Sequence, residues 1–171
     1  LAGFAIPGVL QIAAGMIAER IRQYAWYGET GKVAYTAIDT FCVRQGDIVE
    51  RLPDAARIKY PADTLAARRI VTPEGKNYRP DPAGPVLLIG DSFTGVFELV
   101  DCKSAGIGAN IAEKCGLPVD ILTSWGGGPL IMNKAIRLRD KSLAQKRLVI
   151  YLMTSRDLFD YSQGWEPLKT D

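Results

Sequence analysis

Ser92 is the residue of this chain whose placement best suits chemistry. It follows the apolar run Val86-Leu87-Leu88-Ile89 and the turn Gly90-Asp91. A run of that length reads as a buried strand, so the serine hydroxyl and the Asp91 carboxyl emerge at the strand's carboxyl end. In open α/β sheets that edge is where ligands bind, and a serine there is a candidate nucleophile. The same tripeptide also fits an ordinary strand-to-helix turn in which Asp91 or Ser92 caps the next helix.

Two further segments carry residues suited to a site. Trp125-Gly126-Gly127-Gly128 follows a second short apolar run. Its glycines let backbone N–H groups approach a ligand closely, and Gly126 and Gly127 are candidate oxyanion donors. Thr154-Ser155-Arg156-Asp157 follows a third run. In a parallel sheet all three strand ends gather along one edge, with Thr94, Trp125 and Arg156 as candidate substrate contacts. Each segment has a plainer reading as well: a flexible glycine turn, a packing tryptophan, and an Arg156–Asp157 surface pair of little worth.

The chain contains no histidine. A serine nucleophile usually hands its proton to an imidazole. Either the chemistry is of another kind or the base lies outside these residues. The cysteines Cys42, Cys102 and Cys115 sit at no metal-ligand spacing, and no metal or bound cofactor is implied. With Ser104 to Cys115 read as one helix rising about 1.5 Å per residue, Cys102 and Cys115 are too far apart for a disulfide. Such a bond needs Cα atoms within about 7 Å. On this reading cysteine usage does not fix the redox compartment.

The elements that position these groups follow from length and pattern. A chain of 171 residues, 47% hydrophobic and 23% charged, suits a single α/β domain spanning 1–171. Its net charge of +2 argues neither for nor against a polyanionic partner, and the lack of a dense basic tract gives nucleic-acid binding little support. Arg137, Arg139, Lys141, Lys146 and Arg147 read as a solvated helix face. Pro7 suits a first helical turn, and Val9, Leu10, Ile12, Ala13, Met16, Ile17 and Ile21 then recur at helical spacing. Gln11 and Pro7 favour a packed helix there over a membrane span. Tyr24 to Lys32 reads as a loop, Val33 to Val43 as a strand, and Gly46 to Leu52 as a short helix or edge element. A further strand fits Tyr60 to Thr72, ahead of a turn at Thr72-Pro73-Glu74-Gly75-Lys76. Beyond Ser92 the pattern alternates: helix Ile107 to Cys115 closed by Gly116, strand Val119 to Thr123, helix Leu130 to Ala144, strand Arg147 to Met153. That order predicts a parallel sheet flanked by helices.

Val86 to Phe93, preceded by Thr72-Pro73-Glu74-Gly75-Lys76, resembles the alginate O-acetyltransferase-type, SGNH hydrolase-like family of bacterial exopolysaccharide-modifying proteins. Gly46-Asp47-Ile48-Val49, Ser155-Arg156-Asp157-Leu158 and Gly164-Trp165 extend the resemblance along nearly the whole chain. It implies a flavodoxin-like three-layer sandwich with a mainly parallel sheet. It also implies an acetyl transfer in which Ser92 is served by an Asp-x-His pair lying earlier, just before an amphipathic helix. In one register Asp39-Thr40-Phe41 occupies that place, with phenylalanine in the base position. In the preferred one the helix from Pro7 follows the pair, which then lies upstream of Leu1, and the domain is N-terminally truncated and inactive alone. The resemblance further implies a periplasmic or extracytoplasmic setting and a polysaccharide acceptor. The acetyl donor would be served by a membrane-bound acyltransferase. Competing functions are a carbohydrate acetylesterase of the same fold, and a non-catalytic binding scaffold stacking sugars on Trp125 and Tyr161.

Overall fold

The computed structural model describes residues 7–125, 131–155 and 159. Pro7 opens α1 (Pro7–Arg22), whose buried face is Leu10, Ala14, Ala18 and Ile21. This spacing of three and four keeps one stripe of the helix facing inward, and it leaves Val9, Ile12 and Met16 of the sequence pattern exposed. Among the described residues no helix is long and apolar enough to cross a membrane. A short helix, α2 (Ala25–Glu29), follows, where the sequence reads as a loop. It has no side-chain cap at its start, so the usual helix-start signal is missing.

β1 (Thr36–Arg44) and β2 (Asp63–Val71) pair antiparallel, from Thr36 opposite Val71 to Arg44 opposite Asp63. Two single-turn helices, α3 (Asp47–Glu50) and α4 (Asp54–Arg57), connect them. This hairpin forms a two-stranded sheet of its own.

The central sheet is parallel, in the order β4 (Val119–Thr123), β3 (Val86–Gly90), β5 (Leu148–Tyr151). Every residue of β3 and β4 is buried, as near-continuous apolar runs covered on both faces require. Successive side chains take opposite sides. Val86, Leu88, Val119 and Ile121 join a core with α1 and with α6 (Ile107–Cys115). Leu87, Ile89 and Leu122 join a second core with Ala135 of α7 (Ile131–Leu143). The result is the expected three-layer α/β arrangement, with α1 and α6 on one face and α7 on the other. Full burial of each large aliphatic side chain here contributes about 1.5–3 kcal/mol. Gly116, at φ 63°, closes α6 in the left-handed region, where a Cβ is disfavoured.

One polar group interrupts the β4 run. Asp120 is fully buried, and its carboxylate accepts two hydrogen bonds from the Arg139 guanidinium, at 2.7 and 2.8 Å. Lys146 Nζ lies 3.0 Å away and also donates to the carbonyls of Pro82 and Gly84. Arg139 and Lys146 therefore do not belong to a solvated face; they tie the α7 side to the sheet. At the outer side of β4, the Tyr78 hydroxyl donates to Val119 O at 2.8 Å and accepts from Val119 N at 3.0 Å.

Cys102 and Cys115 are not bonded to each other, as expected, and the structure adds a pairing that the sequence reading does not name. Cys42 of β1 and Cys102 form a disulfide, with Cα atoms 5.4 Å apart, across 60 positions of sequence. Cys115 is free and buried, and burial pushes its thiol up to about 11.

Candidate functional site

The turn after β3 is built around a close approach. A Cβ on Gly90 would lie 2.7 Å from Thr94 Cβ, so only glycine lets the following helix fold back onto the strand end. Asp91 then caps α5 (Ser92–Gly95), its Oδ1 accepting from Phe93 N at 2.9 Å. Its carbonyl accepts from the Thr94 and Gly95 amides. Asp91 thus does what a good N-cap does, while Ser92, half-buried, opens the helix at the carboxyl edge of the sheet.

Both flanking strand ends are fastened to this turn. Ser124 N donates to Gly90 O at 3.0 Å, and Leu152 N donates to Ile89 O at 2.8 Å. Because β4 lies on one side of β3 and β5 on the other, with α6 and α7 on opposite faces, the chain reverses its winding direction at β3. A crevice at such a switch point, outside the strand carboxyl ends, is the usual ligand site of an open α/β sheet.

The segments expected at the site sit as follows. Trp125, beyond β4, is 55% exposed and follows the anchored Ser124. Thr154 and Ser155 follow β5. Thr94 is buried beneath the turn against Gly90, a position that shapes the backbone around Ser92. Gly126, Gly127, Arg156 and Tyr161 lie outside the described residues. Asp39 and Phe41 lie mid-strand in the hairpin. Asp39 pairs with Arg68 at 3.5 Å, and Phe41 is 75% exposed.

Farther along the same segment stands a buried group that the sequence reading does not single out. α5 runs into a π-helical turn, Val96–Val100, and within it Glu98 is buried. Its Oε1 accepts from Ala109 N at 2.8 Å, and the Gly108 amide also bonds its carboxylate. Among the described residues its Oε2 has no hydrogen-bond partner. Gly106, the N-cap of α6, brings no side chain of its own to that position, and a Cβ there would meet Glu98 Cδ at 2.5 Å. Burial raises the Glu98 carboxyl to about 7, against the opposing pull of the two amides. The sequence signal was an acid inside the apolar run Val96-Phe97-Glu98-Leu99-Val100, with glycines at 106 and 108 to receive it.

No protein-family model and no curated protein sequence matches the chain. Solved structures do. The O-acetyltransferase domain of Pseudomonas putida AlgJ superposes with a TM-score of 0.64 at 18% identity, over 90% of this chain and 51% of that one. Pseudomonas aeruginosa AlgX superposes with a TM-score of 0.53 at 15% identity, over 86% of this chain and 33% of that one. The chain thus spans about half the length of the first and a third of the second. At these identities the likeness is one of fold, and the α/β, SGNH-hydrolase-like class is the one shared.

Proposed function

We propose that Ser92 is the nucleophile of an O-acetyl transfer to hydroxyls of a bacterial polysaccharide. The observation that carries the reading is its position: a half-buried serine opening a helix at the switch point of the sheet, between anchored strand ends. Likeness of fold to an O-acetyltransferase domain supports it.

In the first half-reaction Ser92 Oγ attacks the donor's acetyl carbonyl. The Oγ–acyl bond forms, the bond to the leaving group breaks, and the serine proton passes to a base. An imidazole base has to come from outside these 171 residues, which contain no histidine; the Asp-x-His pair of the resemblance would fill that role. Backbone amides of Ser92 and of Gly126 or Gly127 would hold the oxyanion. The base hands the serine proton to the leaving group. In the second half-reaction a sugar hydroxyl takes the acetyl group; the base takes the proton of that attacking hydroxyl and passes it to Ser92 Oγ as the Oγ–acyl bond breaks. Trp125 and Arg156 would position the sugar, and a membrane-bound acyltransferase would supply the donor. The Cys42–Cys102 disulfide supports an oxidising, extracytoplasmic setting.

The test is acyl-adduct mass spectrometry on the chain incubated with an activated acetyl ester and free imidazole as a substitute base. Acetylation of the Ser92 peptide, lost in Ser92→Ala, is expected, followed by transfer to an added oligosaccharide. A chain acetylated equally with and without Ser92 would end the proposal. Release of free acetate alone, faster than from ester and imidazole without the protein and with acceptor in excess, would make the protein an esterase.

A further inference from the structure

The segment that follows Ser92 does not hold its shape by local preference. Cys102 and Ser104 have φ of 40° and 67°, the left-handed region that non-glycine residues seldom occupy. Such residues persist where the surroundings over-determine them, and here the constraints come from distant parts of the chain. Ser104 Oγ donates to Tyr78 O, Ser104 O accepts from Ile70 N of β2, and Ala105 N donates to Phe97 O. From β1, three further contacts reach the same stretch. Cys42 bonds covalently to Cys102, the Arg44 guanidinium pairs with Asp101 at 2.6 Å, and it lies 5.7 Å from the centre of the Phe97 ring. The intervening chain is α5 and its π-helical turn, so Ser92 and Cys102 bound one short continuous unit. An isolated π-helical turn is rare, and the far end of this unit is where the contacts from β1 and β2 are made.

We propose that the Cys42–Cys102 disulfide, with the Arg44–Asp101 ion pair beside it, is a redox latch that holds the Ser92 segment in its site geometry. Only the oxidised chain then presents an ordered serine. Opening it takes one dithiol: the S–S bond accepts two electrons and two protons to give two thiols, and the dithiol closes to its own disulfide. Both cysteines are partly exposed and open to such a reagent. Cys115 is buried with a raised pKa and stands outside the exchange. The latch is independent of the chemistry assigned to Ser92; only its consequence for acylation rests on that reading.

Amide hydrogen exchange on the native chain, oxidised and after dithiothreitol, tests this. Reduction is expected to speed exchange across residues 92–105 about tenfold or more, as a local opening does, while β3, β4 and α6 keep their protection. The double variant Cys42→Ser/Cys102→Ser should match the reduced chain and ignore dithiothreitol; if it does not fold, the reduced native chain carries the test. Exchange at 92–105 that is unchanged, or that rises equally in β3, β4 and α6, would overturn the latch. Acyl-adduct formation is followed in the same samples. A latch that opens in a chain never acylated at Ser92 would sink the catalytic reading alone.

Discussion

In β3 every residue from Val86 to Gly90 is buried, whereas no residue of β1 is; Phe41 and Val43 there are 75% and 72% exposed. The two strands belong to different sheets and hold their places by different means. β3 is fixed by apolar contact on both faces, a non-directional force proportional to area. β1 has one partner strand, and an isolated two-stranded ribbon is marginal in water. Ala37 alone of its residues packs against the core among those described, and its other attachments are specific: a disulfide, the Arg44–Asp101 pair, and the Arg44 guanidinium over Phe97. The site inherits both modes, since Ser92 is placed at one end by β3 and the unit it begins is held at the other by β1.

Breaking the burial-held side should have the largest effect. Asp120→Ala leaves the Arg139 and Lys146 cations facing an apolar layer. Removing one partner of a buried pair costs about 3–5 kcal/mol, to be read as a lower urea midpoint. A loss below about 1 kcal/mol would class Asp120 with surface ion pairs.

Glu98, at the boundary between the two modes, gives a pH signature. Its folded pKa of about 7 lies above the ordinary 4.5, so the native state binds the extra proton between those values. Its contribution to stability is greatest below pH 4.5 and falls as the pH rises to 7, by about 3 kcal/mol in total. Urea unfolding across that window should show the decline in the native chain and lack that component in Glu98→Gln. Equal pH slopes in the two proteins would mean that Glu98 does not carry it.

The smallest effect is expected on the open face of the hairpin. Phe41→Ala removes a ring that is mostly in water, and stability should move by no more than about 0.5 kcal/mol. A larger loss would show that the hairpin has a buried partner surface, and the contrast with β3 would narrow.

These differences also explain what could be read from the sequence. β3, β4 and the Gly90-Asp91-Ser92 turn were legible because a continuous apolar run and its glycine punctuation are local signals. The helix ending at Gly116 was legible for the same reason. Asp120 with Arg139, Glu98 with Ala109, and Cys42 with Cys102 were not. Each pair is brought together only by the finished fold, across 19, 11 and 60 positions. Periodicity has no term for such encounters. It places Arg139 and Lys146 on a solvated face, and it separates Cys102 from Cys115 without naming Cys42 as the partner of Cys102. Within the site, the serine and its capping aspartate were legible as residues. The π-helical turn behind them was not, because its geometry is imposed by contacts from β1 and α6.

The Tyr78 hydroxyl, which both donates to and accepts from the Val119 peptide, bears on how the chain behaves in company. An open sheet margin is a template for a second chain, and folded proteins avoid mutual association by blunting it. β4 is such a margin among the described residues. Here one phenol engages both backbone groups of a residue that would otherwise begin a ladder with a stranger, and Asp81 N donates to the same carbonyl. A side chain 41 positions away thus takes, at this one residue, the place that a neighbouring strand would fill at the edge of the sheet that carries the site.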